Sequence, residues 1–125
     1  MYRELELITS EDTVVKIPFK STGTTAIRYK QFTGKELNKS VEAASGDTFE
    51  SDKVFSQLAY VMNKQATATS VAELANLNEE DYIEWLDQFQ PLTFTHNSDA
   101  IADIYICNVE TSSDSKKNPA QQTES

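Results

Sequence analysis

The sequence predicts an α+β fold that is mainly α, with an N-terminal two-stranded β-hairpin followed by about four to six helices. Over the first 20 residues, apolar residues alternate with polar ones, which is the period of a β-strand. Later in the chain, apolar residues recur three or four positions apart, as in amphipathic helices. At 125 residues, the chain is expected to form one domain over residues 1–110, followed by a disordered polar tail at 111–125.

The hairpin is predicted from two alternating segments joined by a polar turn. The first strand covers Tyr2–Ile8, the turn lies at 9–12, and the second strand covers residues 15–20. Pro18 cannot donate a ladder hydrogen bond, so the second strand is expected at a sheet edge. The apolar residues predicted to share a face within each strand are Leu5 and Leu7, and Val15, Ile17 and Phe19.

Three helices are predicted in the middle of the chain. Residues 26–32 fit either a strand or a short helix capped by Thr24 or Thr25, and we favour the helix. Thr33-Gly34-Lys35-Glu36 matches a capping box that opens the second helix, which Ser45-Gly46 would end. A third helix opens at Asp47–Glu50, carries the widest apolar face and should fade near 65–69.

The later helices are predicted from caps and apolar stripes. Ser70–Glu73 repeats the capping box, and Asn78 can cap a helix that Pro91 ends. The buried stripe expected on that helix consists of Tyr82, Trp85, Leu86 and Phe89. Residues 100–109 fit a strand or a helix capped by Ser98, and we favour the helix.

Charge is unevenly distributed along the chain. Residues 65–115 contain no lysine or arginine but ten acidic residues, whereas basic residues are concentrated between Lys16 and Lys39. The net charge of −9 argues against general nucleic-acid binding and against adsorption to anionic membranes. Opposite charges at the two ends of the chain predict a candidate assembly or partner surface, made of Arg28, Lys30, Lys35, Lys39, Glu79, Glu80, Glu84 and Asp87.

We expect no catalytic, cofactor or metal site. His96, Asp99 and Cys107 are the minimum for acid–base or nucleophilic chemistry, but no glycine-rich oxyanion turn accompanies them. We therefore expect His96 in a loop and Cys107 packed as a small apolar residue. The helix-patterned acidic residues at 79–87 lack the glycine of a calcium loop. No signal-peptide pattern or spanning segment is visible, so a soluble cytoplasmic protein is expected.

The segment FKSTGTTAIRYKQFTGKEL at residues 19–37 resembles the start of tail assembly chaperones from long-tailed, non-contractile phages and prophages of Gram-positive bacteria. A helical middle such as FSQLAYVM at 55–62 and an acidic-aromatic helix such as YIEWL at 82–86 continue the resemblance, which spans about residues 14–110. The extra Thr33 before Gly34 departs from the commoner pattern.

The resemblance implies a non-enzymatic protein of the bacterial host cytoplasm. Such chaperones bind the tape measure protein, keep it soluble until the tail tube protein polymerises round it, and then leave, so they are absent from the mature virion. They tend to form homo-oligomers, here expected through charge-complementary contacts. A longer form is often made by ribosomal frameshifting, for which Lys116-Lys117 is a candidate position.

Two other classes of function remain open from the residues. One is a small acidic phage inhibitor, or nucleic-acid mimic, that binds a host protein through acidic residues spread over one exposed face. The other is a structural head–tail or tail component, which would be expected to contain more strand than this sequence predicts.

Overall fold

The computed structural model describes residues 1–107, which contain one hairpin and seven helices. The part of the predicted domain beyond residue 107, the polar tail at 111–125 and Lys116-Lys117 lie outside the described residues. None of the helices in residues 1–107 combines the length and hydrophobicity that crossing a lipid bilayer requires. In chain order the elements are β1 (Tyr2–Ile8), β2 (Val14–Lys20), α1 (Thr25–Thr33), α2 (Leu37–Ala43), α3 (Thr48–Thr67), α4 (Val71–Ala75), α5 (Glu79–Leu86), α6 (Thr93–His96) and α7 (Ser98–Tyr105).

The antiparallel hairpin confirms the predicted strands and turn. Leu5 pairs with Ile17 and Leu7 with Val15, so the apolar positions of both strands share one face. That face lies on α3, and the side-chain amide of Asn63 donates to the Pro18 carbonyl at 2.9 Å. Both strands of a two-stranded sheet are edge strands. Pro18, which has no amide hydrogen to donate, therefore does not interrupt an interior strand.

Helix α3 is the centre of the core, as its apolar face predicts. It packs against β2 and against every other helix. The Asp47 carboxylate accepts a hydrogen bond from the Glu50 amide at 3.1 Å and so caps the helix start, and the helix ends at Thr67, inside the predicted range. Its buried apolar residues are Val54, Leu58, Ala59, Tyr60, Val61 and Met62.

Aromatic rings fill the space between α3 and the later helices. Trp85 stacks on Phe94 with ring centroids 5.4 Å apart, and Tyr60 lies 5.4 Å from Trp85. Phe32 of α1 joins the same cluster through Tyr60 and Tyr82. The predicted core roles of Tyr82, Trp85 and Phe89 are therefore confirmed, with Leu86 only partly buried.

Residues 26–32 lie in α1, and the described part of the second ambiguous segment is helical up to Tyr105, but several predicted helix ends were wrong. Thr33 ends α1 and donates to the Tyr29 carbonyl at 2.8 Å, rather than opening α2. Gly34 adopts a left-handed conformation with φ of 77° and terminates α1. The predicted capping box, which would start a helix at this position, is therefore not formed. Neither Thr24 nor Ser98 caps its helix with its side chain, whereas the caps at Ser70 and Asn78 are confirmed.

The region around Pro91 also differs from the prediction. Helix α5 ends at Leu86, before Pro91, because the chain turns so that Phe89 forms a bridge with Thr9 of the hairpin turn. The segment after Pro91 then forms the four-residue helix α6, which the sequence did not predict. His96 ends α6 instead of lying in a loop, although its side chain is exposed.

Candidate functional site

Three of the four predicted basic residues converge on one cleft. Lys30 of α1, Lys35 of the connecting loop and Lys39 of α2 line a cavity of about 620 Å³ between α1, α2 and α3. Lys53 of α3 also lines it, and sequence reasoning missed this residue. We call this cavity, with its four lysines, the basic cleft.

Two glutamates, Glu36 and Glu50, reduce the positive charge of the basic cleft without cancelling it. Lys30 Nζ lies 3.9 Å and Lys39 Nζ 3.7 Å from the Glu36 carboxylate, and all three side chains are more than half exposed. Such exposed pairs contribute little stability. Within residues 1–107, Lys35 and Lys53 have no carboxylate within 4.0 Å, so the cleft keeps a net charge of +2 from four lysines and two glutamates.

The floor of the basic cleft is largely apolar. Tyr29, Ala44 and Val54 line it and are at most 6% exposed. The Tyr29 hydroxyl donates to the Gln57 side chain at 3.3 Å, which fixes the ring against α3. A partner side chain entering the cleft would therefore meet ammonium groups at the rim and apolar atoms at the base.

Arg28 does not join the basic cleft. Residues two positions apart on a helix point to opposite sides, so Arg28 and Lys30 face away from each other on α1. Arg28 Nη1 donates to the Gln31 side chain at 3.1 Å, while its Nε is buried without a partner in residues 1–107. Helix α1 therefore separates Arg28 from the three predicted lysines, which line the basic cleft.

The acidic residues predicted on α5 share its outward face. Asn78 caps the helix by accepting from the Asp81 amide at 2.9 Å, and acidic residues in the first turn suit the positive end of the helix dipole. Ile83 lies among them and is 49% exposed. We call this surface the acidic face; it consists of Glu79, Glu80, Ile83, Glu84 and Asp87, all exposed. Within residues 1–107, none of its carboxylates has a basic nitrogen within 4.0 Å.

A shallow cavity of about 460 Å³ lies beside the acidic face, between α3, α4 and α5. Lys64 lies over the Tyr60 ring, with Nζ 5.6 Å from the centroid. Burial, with a smaller contribution from Asp81, raises the pKa of Tyr60 to about 12. Hydrogen bonds from the Thr69 hydroxyl and amide lower the pKa of Glu73. We interpret the charges of these groups as structural. Among the residues named here, no nucleophile is paired with a base, as covalent catalysis would require.

The remaining residues considered for acid–base or nucleophilic chemistry are His96, Asp99 and Cys107. Cys107 is exposed, which contradicts the predicted packing, because the chain turns at φ of 59° after α7 and carries the thiol to the surface. Its sulfur lies 3.4 Å from the Ser21 hydroxyl. Within residues 1–107, no hydrogen bond joins His96 to Asp99 or Cys107, and no three metal-binding side chains are grouped together.

Comparisons with protein-family models, with curated proteins and with solved structures find no match to this chain.

Proposed function

We propose that this chain is a tail assembly chaperone of a long-tailed, non-contractile phage or prophage. It binds the tape measure protein in the host cytoplasm and keeps it soluble for polymerisation of the tail tube protein. The observation that carries the proposal is the resemblance of residues 19–37 to the start of that family. The packing supports it: Phe19, Tyr29 and Leu37 of this segment are buried, and its lysines at 30 and 35 line the basic cleft.

A chaperone that holds its client acts by binding, so it needs accessible surface and no reactive group. Binding the soluble form of the client lowers its free concentration and so opposes aggregation. The basic cleft and the acidic face both present exposed charges of one dominant sign. Surfaces of this kind favour fast, salt-dependent association with a partner of opposite charge.

Within this proposal, the chain assembles by placing the acidic face of one copy against the basic cleft of the next. Ile83 then enters the cleft towards Val54, while the surrounding carboxylates meet the lysines at the rim. The contact joins two different surfaces, so it generates a ring or an open helix of subunits. Association weakens as salt screens the charges.

Sedimentation velocity at about 50 mM and about 500 mM salt tests the assembly. Lys53→Glu and Glu84→Lys should each reduce the assembled fraction, and the two variants mixed together should partly restore it. Lys16→Glu is the matched control, since Lys16 is exposed on β2 outside the cleft. A strict monomer at both salt concentrations would refute this mode of assembly.

Co-purification tests the chaperone role. The chain and the long, helical protein encoded beside it are co-expressed, with a tag on the chain alone, and the complex is isolated by size exclusion. We expect a stable complex, and we expect mass spectrometry of finished virions to lack this chain. Failure to form any complex, or stoichiometric presence in virions, would contradict the proposal; the second result would favour a structural tail component.

The acidic face supports a second candidate function, that of an acidic inhibitor. Glu80, Glu84 and Asp87 lie at positions i, i+4 and i+7 of α5 and extend onto its C-cap, so their carboxylates follow one another along a single exposed line. A nucleic-acid mimic uses such a row. Recovery of a host nuclease or polymerase, released by competing DNA, would favour this function over the chaperone.

A further inference from the structure

The outer side of β1 carries backbone hydrogen-bonding groups that the hairpin does not use. In an antiparallel pair, each strand directs the amides and carbonyls of alternate residues towards its partner and those of the intervening residues away from it. The Ser21 amide donates to the Met1 carbonyl at 2.8 Å, directly beyond the end of the ladder, so the odd-numbered residues of β1 bond to β2. The amides and carbonyls of Tyr2, Glu4 and Glu6 therefore point to the outer side of β1, which we call the open edge.

The chain already places a short segment against the continuation of the open edge. Just beyond β1, the Ser10 amide donates to the Gln88 carbonyl at 2.8 Å, and Thr9 forms an antiparallel bridge with Phe89. The chain then turns away and forms α6 from Thr93. An antiparallel segment therefore fits along this side of the hairpin, but the chain's own segment stops short of the open edge.

The backbone groups of the open edge have no partner strand in residues 1–107. Helices α3 and α7 pack against β2, and β1 has its extensive contacts with β2 alone among the elements of this region. Within the same residues, no backbone hydrogen bond reaches the amide or carbonyl of Glu4 or Glu6 from outside the hairpin. A row of unpaired amides and carbonyls on an edge strand is a template for an added strand.

The exposed face beside the open edge is acidic. Glu4 and Glu6 are exposed on this face, and neither carboxylate has a basic nitrogen within 4.0 Å in residues 1–107. The Tyr2 hydroxyl donates to the Glu4 carboxylate at 3.4 Å, which leaves the negative charge in place. The open edge therefore combines unpaired backbone groups with two unpaired negative charges.

The basic residues of the hairpin lie farther from an added strand than these glutamates do. Arg3 points to the other face of β1, because successive side chains of a strand alternate between faces. Lys16 and Lys20 share the exposed face, but they belong to β2. A strand added at the open edge lies about 4.8 Å from β1 and about twice as far from β2, so the glutamates are its nearest charges.

We propose that the open edge binds an extended segment of another protein as a third strand, antiparallel to β1, with basic residues at alternate positions. Two of its basic side chains lie opposite Glu4 and Glu6, where cross-strand pairs of opposite charge stabilise a sheet. Because Glu4 and Glu6 direct their amides and carbonyls outwards, the backbone of the two basic residues bonds to them directly. The inference goes beyond the proposed function, since the open edge is separate from the basic cleft and from the acidic face.

A second copy of the chain does not offer a suitable strand. When β1 pairs antiparallel with β1 of another copy through three or more outward residues, at least one glutamate faces a glutamate, which destabilises the pair. The outer side of β2 cannot supply an uninterrupted ladder. Pro18 has no amide hydrogen, and its carbonyl accepts from the Asn63 side chain at 2.9 Å.

The sequence of residues 108–125 does not match the open edge either. Its only basic residues, Lys116 and Lys117, are adjacent, and adjacent residues of a strand point to opposite faces. One of the two glutamates would therefore lack a basic partner. The charge pattern of the open edge points to a different protein.

The test uses a fluorescent synthetic peptide of about nine residues, a length typical of strands in proteins. The peptide carries lysines at alternate positions, with threonine or valine between them. Two further peptides differ from it only by N-methylation, one at the lysine amides and the other at the intervening amides. Binding to the full chain is measured by fluorescence anisotropy, and hydrogen exchange of the Glu4 and Glu6 amides is measured by NMR.

We expect the unmethylated peptide to bind and to slow hydrogen exchange of the Glu4 and Glu6 amides. Methylation of the lysine amides should weaken binding by about tenfold or more, because it removes the hydrogen bonds to the open edge. Methylation of the intervening amides, which point away from β1, should leave binding unchanged.

A substitution in the chain tests the charge pattern. Glu4→Lys should weaken binding by about fivefold or more, since it places like charges opposite each other. The matched control is Glu42→Lys, which makes the same change in charge at an exposed residue of α2. We expect the control variant to bind like the unmodified chain.

No binding of the unmethylated peptide, equal binding of the two methylated peptides, or equal effects of the two substitutions would overturn the inference. Slow exchange of the Glu4 and Glu6 amides in the unmodified chain without peptide would show that the chain itself already covers the open edge, and would also overturn it. Failure of the proposed function is distinguishable. In that case the peptide still pairs with the open edge, but the tape measure protein forms no complex with the chain.

Discussion

The buried hydrogen bond between Tyr82 and Ser56 joins α5 to α3 and makes a quantitative prediction. The two hydroxyl oxygens are 2.6 Å apart, and Ser56 Oγ also donates to the Lys53 carbonyl at 2.9 Å. A serine hydroxyl has a single proton, so the Tyr82 hydroxyl donates to Ser56. Ser56 is fully buried and Tyr82 is 6% exposed, so solvent replaces this bond poorly.

The direction of this hydrogen bond makes the two single substitutions unequal. Tyr82→Phe removes the donor while Ser56 still donates to Lys53, so we expect a loss of about 1 kcal/mol in unfolding free energy. Ser56→Ala leaves the buried tyrosine hydroxyl without an acceptor, for which we expect about 2 kcal/mol. The double variant has no unpaired donor, so it should cost about 1 kcal/mol less than the two single losses added together.

Urea unfolding followed by the fluorescence of Trp85, the only tryptophan, measures these differences. The urea dependence of the unfolding free energy should stay unchanged, which shows that the variants unfold to the same extent. Additive losses in the double variant would refute the coupling. A larger loss for Tyr82→Phe than for Ser56→Ala would refute the assigned direction of donation.

Three further outcomes follow from individual side chains. Phe94→Ala should cost about 3–5 kcal/mol, because Phe94 is fully buried against Trp85; a loss below about 1 kcal/mol in the same urea assay would contradict that packing. Gly34→Ala should cost about 1 kcal/mol, since φ is 77° there, whereas Gly23→Ala, at a residue with no positive φ, should be nearly neutral; equal thermal shifts for both would contradict this. The pKa of Tyr60 is raised, so its contribution to stability is fully present below pH of about 10, the ordinary pKa of tyrosine, and is lost as pH rises towards about 12. Tyr60→Phe should therefore lose less stability over that pH range. Identical plots of stability against pH for the two proteins would refute this.

Features set by local chemistry could be predicted from the sequence. Alternation in residues 2–20 defined the hairpin, because each strand buries only one face. Ser70 and Asn78 were identified as caps, and the segment from Asp47 as a helix start, because each precedes an apolar helical stripe and can accept from an amide three residues later. The exposure of the acidic residues on α5 could also be predicted, because helical spacing alone decides which residues point outwards.

Features that depend on packing between distant segments could not be predicted. Lys53 joins the basic cleft only because α3 packs against α1 and α2, and no local pattern links these segments. The bridge between Thr9 and Phe89 ends α5 early and leaves room for α6. The Thr33-Gly34 pair is compatible with the start of α2 and with the end of α1. The left-handed φ of Gly34 shows that the pair ends α1.

The proposed chaperone role can be measured by light scattering from purified tape measure protein that is diluted from denaturant with and without this chain. If the chain is such a chaperone, scattering should fall as the chain is added and should be abolished near stoichiometric amounts, without any cofactor or nucleotide. Scattering that is the same with the chain as with an equal mass of an unrelated acidic protein would contradict the chaperone role.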